Sequence, residues 1–201
     1  MGGITCFMAI VDFIPVVLFF IAAVILQRDL YHILTKGAYS LVAAGSIMAF
    51  TGGFFKALWK MLYALNVCDY VLLDHSFFAM QGPGFLLFFL GVLGLFLKGG
   101  KNTTLRSVSP VVVTTSLPFI IMQVVGLGGA QFTLGIWGLK KGNKFAFVLY
   151  MISFVFMLGM GYLGAKFDDT STMHWLAQLT NIVSLGSFLW ATLEMRKTGY
   201  E

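Results

Sequence analysis

GGFFKALWKMLYALNVCDYVLLDHSFFAMQGPGF, Gly52 to Phe85, decides how the chain is read. An apolar helix carrying Lys56 and Lys60 runs into a short loop with Asp69, and a second apolar helix begins at Asp74 and His75. Inside that second helix lies the run Gln81-Gly82-Pro83-Gly84. Polar groups gather at the ends, and the apolar stretches approach the roughly 20 residues needed to cross about 30 Å of hydrocarbon.

Such runs recur on both sides of this stretch. The chain of 201 residues is 59% hydrophobic and 10% charged, with a mean hydropathy of +0.90. A soluble domain carries roughly a quarter charged residues. The expected fold class is all-α: a polytopic helical membrane protein with six hydrophobic helices in a single integral membrane domain. The net charge of +5 is spread over short loops. That spread suits the anionic head groups of a lipid bilayer and supplies no concentrated basic face for nucleic acid. A multi-pass protein of a cell or inner membrane is the expectation. The first apolar run, Ile4 to Leu26, has no basic region before it and reads as a span rather than a cleaved signal. Cys6 stands where an acylation motif after Met1-Gly2 needs Ser or Thr. Cys6 and Cys68 have no metal or redox spacing and read as free thiols.

Taken in order, the first helix is expected over Ile4–Gln27, bent at Pro15, with Arg28, Asp29 and His32 as an interfacial cluster after it. The second, Ala38–Leu65, carries a ridge of small residues, Gly45, Ala49 and Gly53, that admits a close neighbour. Lys56 and Lys60 are expected to snorkel beside Trp59 and Tyr63. Asp74 suits the N-cap of the third helix, His75–Leu97. The fourth element, Pro110–Leu139, holds Pro118, Gln123, Gln131 and a glycine-rich run from Gly126 to Gly129. Phe145–Ala165 and His174–Met195 complete the set. On the last, His174, Gln178, Asn181 and Thr192 fall in one helical sector.

His75–Gly100 aligns with His174–Gly199 without gaps, matching His75/His174, Leu86/Leu185, Phe89/Phe188, Leu90/Leu189, Lys98/Lys197 and Gly100/Gly199. Asp69 and Asp168 precede their histidines by equal intervals. Two three-helix repeats, about 4–98 and 109–197, are expected, and transporter folds place their sites between such repeats. Binding or translocation of a small solute or ion at that interface is therefore the expected function. Gln81, Pro83, Gln178 and Asn181 are the binding candidates, with Lys56 and Gln123 as outer ones. Pro83 between two glycines is expected either to break its helix at mid-depth and expose carbonyls or to make a plain packing kink, the two weighed evenly.

Two other readings remain open. One is a non-catalytic subunit of a larger membrane complex, or a homo-oligomer, whose aromatic-rich faces (21 Phe) meet a partner. The other is a lipid-modifying enzyme using interfacial Asp69, Asp74, His75, Asp168 and His174. Of these, Asp69, His75, Asp168 and His174 are also the weaker candidates for a metal site, being suitable ligand types without close local spacing. No nucleophile elbow, HExxH, P-loop or dinucleotide fingerprint occurs, and nothing in the sequence names a cofactor.

For topology, six alternating crossings are preferred, although they divide the cations almost evenly. A re-entrant hairpin turning at Gly126–Gly129 would instead gather Arg28, Lys36, Lys98, Lys101, Arg106, Lys140, Lys141, Lys144, Arg196 and Lys197 on one side. Such hairpins are uncommon and need shielding from lipid.

Overall fold

The computed structural model describes residues 5–96, 117–165 and 171–200. Asp168 and the cations Lys98, Lys101, Arg106 and Lys166 lie outside the described residues. The helices are α1 (Cys6–Val11), α2 (Phe13–Leu30), α3 (Lys36–Ala64), α4 (Val71–Val92), α5 (Leu117–Lys140), α6 (Lys144–Ala165) and α7 (Ser171–Thr198). A 3-10 turn, Leu93–Leu95, extends α4. With α1 and α2 counted as one span, six helices are long and apolar enough to cross a membrane.

Local chemistry explains the ends. Thr5 Oγ1 accepts a hydrogen bond from Met8 N at 3.3 Å, and Thr35 Oγ1 does the same for Ala38 N at 3.3 Å, capping α1 and α3. The first span breaks at Asp12 rather than bending at Pro15. The cause is still the proline: its ring clashes with the carbonyl four residues back, that of Val11, so α1 ends there and α2 restarts. α4 begins at Val71, which puts Asp74 inside the first turn and not at the N-cap. Pro83 does not break α4, which continues through it to Val92. The neighbours hold the helix in shape. A methyl on Gly84 would lie 2.6 Å from Ala49 N of α3, and one on Gly45 would lie 2.6 Å from the Gly84 carbonyl oxygen. The α3–α4 crossing is thus backbone against backbone, as small-residue ridges permit.

The spans form a closed ring in which α2, α3, α4, α5, α6 and α7 each touch the next, and α7 returns to α2. Their directions follow from the residues that meet. Along the α4–α5 pair, Gly82 meets Phe119, Gly129 meets Phe89, and Phe96 meets Trp137, so these helices run parallel. Met8 meets Gln178, Phe19 meets Phe188, and Asp29 meets Arg196, so the first span runs parallel to α7. The remaining neighbours are antiparallel. Gly128 meets Phe154 and Gly135 meets Phe147 between α5 and α6, and Ser153 meets Ser184 and Tyr150 meets Thr192 between α6 and α7. Gly45 meets Phe88 and Gly52 meets Phe77 between α3 and α4, and Asp12 meets Lys60 and Gln27 meets Ser46 between the first span and α3.

The expected alternation of six crossings is therefore not found. The ends joined by residues 97–116 lie at opposite ends of the α4–α5 pair. The re-entrant hairpin is not found either, because α5 is helical through Gly126–Gly129. Yet the charge asymmetry that motivated the hairpin is present by this other route. Among the described residues, Arg28, Lys36, Lys140, Lys141, Lys144, Arg196 and Lys197 gather at one end, and Lys56 and Lys60 lie towards the other.

At the centre, the Phe19 ring meets Phe85 at 5.3 Å, Phe88 at 6.4 Å and Phe188 at 6.4 Å, centroid to centroid. Outward faces are apolar too: Ile10, Ile14, Val17 and Val24 on the first span, Val148, Ile152 and Val155 on α6, Leu176, Leu179 and Val183 on α7 are exposed. Apolar stripes on both the inner and outer faces of a helix are what a hydrocarbon solvent selects.

Candidate functional site

Amide side chains mark both places where parallel spans meet. Between α4 and α5, Gln123 Nε2 donates to Gln81 Oε1 at 3.0 Å. Gly53 of α3 leaves the space that the Gln81 amide fills. Between α1 and α7, the buried Gln178 donates through Nε2 to the Met8 carbonyl at 2.9 Å. Because a carbonyl only accepts, that bond fixes which end of the amide is nitrogen. Gln178 Oε1 is then a buried acceptor with no partner. Such an atom costs about 1–3 kcal/mol.

A third amide, absent from the sequence-based candidates, lies between α5 and α6. Gln131 is fully buried, donates to Ser153 Oγ at 2.7 Å, and leaves Oε1 unpartnered. Ser184 Oγ of α7 donates to the Ser153 carbonyl at 2.9 Å, extending the polar group to a third helix. A glutamine in a glycine-rich span was the available signal; its neighbours Ser153 and Ser184 gave none.

Towards one end of the ring, α3 presents its lysines to carboxylates on either side. Lys60 pairs with Asp12 at the α1–α2 break, with side chains 19% and 13% exposed. Lys56 pairs with Asp74 of α4 and lies 5.0 Å from the centroid of the Trp59 ring. Trp59 Nε1 donates to Asp69 Oδ1 at 2.9 Å. The expected snorkelling of these lysines is replaced by ion pairing. A charge so sheltered from water must be neutralised locally.

At the opposite end Gly199 and Tyr200 follow α7. Gly199 adopts φ +82°, the left-handed conformation that ends a helix and turns the chain. Tyr200 enters the bundle and is buried, its carbonyl accepting from Trp137 Nε1 at 3.2 Å. Around it stand Tyr150, whose hydroxyl is 3.2 Å from Thr192 Oγ1, and the Asp29 carboxylate. Burial pushes the Tyr200 phenol well above its ordinary value, and the adjoining Tyr150 and Asp29 add to the rise, so it stays protonated. Tyr200 Oη and Asp29 Oδ2 are both buried without a hydrogen-bond partner of good geometry. Burying the ring contributes roughly 1.5–3 kcal/mol, and the unmade hydrogen bond of its hydroxyl costs about 1–3 kcal/mol. The seat is close to balanced. Asp29 Oδ1 accepts from Arg28 Nε at 3.4 Å, and Asp29 Oδ2 lies 4.0 Å from Arg196 Nε.

The other candidates are placed as follows. Asn181 is half-buried one turn beyond Gln178, and Pro83 is half-buried between Gly82, which faces Phe119 of α5, and Gly84, which faces Ala49 of α3. His75 is exposed, His174 is buried, and Asp69 and Asp74 are engaged by Trp59 and Lys56. Among the described residues no three His, Cys, Asp or Glu side chains come together as a metal site would require. Compared with protein-family models, curated proteins and solved structures, the chain matches none.

Proposed function

We propose that this membrane protein binds and moves a small polar solute or ion between two three-helix units, the spans before residue 97 and those after 116. The observation that carries this reading is the placement of glutamines at both junctions of the units, Gln81 with Gln123 and Gln178 against Met8. Amides are costly in an apolar bundle, and an open acceptor such as Gln178 Oε1 has a use only when something donates to it.

A repeat relating the units is part of the proposal. Both units run forward, back and forward in the same sense, the arrangement of repeats related by an axis along the membrane normal. Each also ties its first two spans with a Gln-to-Ser bond: Gln27 to Ser46 at 2.6 Å, and Gln131 to Ser153 at 2.7 Å. The cation-rich end is assigned to the cytoplasm by the positive-inside rule. In the form described, phenylalanines fill the centre of the bundle and Tyr200 is buried towards one end.

That phenylalanine centre favours a second reading, a non-catalytic subunit whose interior stays dry while its outer faces meet a partner. One experiment separates the two. Gln123→Cys and Gln178→Cys are made singly in a chain whose Cys6 and Cys68 are replaced by serine, and sealed vesicles are treated with a membrane-impermeant maleimide. Solute movement predicts labelling of both positions from at least one side. A dry subunit predicts that both remain unlabelled from either side until detergent is added.

A further inference from the structure

The junction between the first span and α7 has a consistent chemistry along its whole length. At one end is Gln178 Oε1, forced to be an acceptor by the bond its nitrogen makes to the Met8 carbonyl. At the middle, Phe19 and Phe188 stack with centroids 6.4 Å apart and planes 28° from parallel. At the other end is Asp29 Oδ2, again an acceptor only, with Tyr200 Oη beside it. The side-chain atoms left unpartnered along this line are all oxygens. An anion would meet lone pairs at Gln178 Oε1 and Asp29 Oδ2, with only the Tyr200 hydroxyl among the unpartnered groups able to donate. A cation is welcomed by both acceptors, since carbonyl and carboxylate oxygens coordinate it.

Resting on the transport reading above, we infer that the solute is a small monovalent cation, an alkali ion or a protonated amine. It is held first by Gln178 Oε1 and then by Asp29, and moves along the junction of the first span with α7. The charged groups nearest the two acceptors are paired, although Lys36, Lys140, Lys141, Lys144 and Lys197 also stand at the Asp29 end. Lys56 and Lys60, near the Gln178 end, are neutralised by Asp74 and Asp12 and present no uncompensated positive charge. At the far end Arg196 is only 4.0 Å from Asp29 Oδ2 and 45% exposed, so a cation leaving there displaces a loosely held guanidinium that water readily receives. Arg28, on the other carboxylate oxygen, keeps Asp29 oriented during the exchange.

The test is uptake into proteoliposomes holding the full chain, with rubidium, methylammonium, iodide and glycerol as probes. At least one of the two cations should enter above protein-free vesicles, and iodide and glycerol should not. Gln178→Leu should lower cation uptake about tenfold while its melting profile shows a folded protein, and Gln178→Asn, which keeps an amide donor and acceptor, should retain more uptake than Gln178→Leu. Rubidium against methylammonium distinguishes the metal ion from the amine. Entry of iodide or glycerol without either cation overturns the cation assignment and leaves transport standing. If none of the four enters and Gln178→Cys is labelled, the cation assignment alone falls. If none enters and Gln178→Cys is shielded from both sides, the transport reading falls with it. Equal cation uptake by Gln178→Leu and the unaltered chain removes Gln178 from the route.

Discussion

Lys60→Leu is expected to destabilise the folded protein by about 3–5 kcal/mol, among the largest effects available to a single side chain here. The replacement leaves the Asp12 carboxylate, 13% exposed, without the lysine that neutralises it in an apolar setting. The damage is local to an important joint. Asp12 separates α1 from α2, and α1 carries the Met8 carbonyl that orients Gln178. The companion experiment isolates the cause. Replacing both residues, Asp12→Leu with Lys60→Leu, removes the unpaired charge and should recover most of the loss, because two apolar side chains of similar size need no counter-ion. Unfolding in mixed micelles, followed by circular dichroism, reads both variants. If Lys60→Leu alone melts with the unaltered chain, the pair is a solvated surface contact and the joint is held by something else.

Gly45→Leu should be comparably severe for a different reason. A first side-chain carbon at Gly45 would lie 2.6 Å from the Gly84 carbonyl oxygen and 2.9 Å from Phe88 Cα, and backbone cannot swing aside as a flexible side chain can. Overpacking a well-filled site costs about 1–3 kcal/mol or more. At this crossing the helices must separate, with loss of the small-residue contact along α3 and α4. Even Gly45→Ala is expected to lower the melting temperature clearly. Leucine at Gly161, where nothing lies within 4 Å, is the control and should leave it unchanged. Equal behaviour of the Gly45 and Gly161 variants would mean that α3 and α4 do not approach as described.

How much of this was legible beforehand depended on whether the cause was local. Helix existence was, because runs of apolar residues set it: all six spans stand where hydropathy put them. The ridge Gly45–Ala49–Gly53 and the amides Gln81, Gln123 and Gln178 were visible because small and polar residues stand out in a hydrophobic background. Effects set by partners far along the chain were not legible. Asp12 and Lys60 are distant in sequence, so each lysine looked like a snorkelling group until α1 and α3 were seen side by side. Pro83 looked like a break because the α3 backbone that braces Gly84 is not written next to it. Asp29 was taken with Arg28 and His32 as surface chemistry, although Arg196 and Tyr200 draw it into the bundle. Direction was the largest miss. Nothing within α5 says whether it runs with α4 or against it, and only the almost even division of cations that simple alternation would give hinted that it was wrong.

The parallel arrangement of the two units underlies every functional statement above, since it alone brings Gln81 to Gln123 and Gln178 to Met8. It is tested most directly by the sidedness of four single cysteines at Lys36, Val67, Lys144 and Thr172, each in the background lacking Cys6 and Cys68. These positions are exposed and lie at or next to helix ends. Impermeant labelling of sealed, uniformly oriented vesicles should mark Val67→Cys and Thr172→Cys from one side, and Lys36→Cys and Lys144→Cys from the other. Labelling of Lys144→Cys together with Val67→Cys, and of Thr172→Cys together with Lys36→Cys, would restore simple alternation and contradict the parallel units.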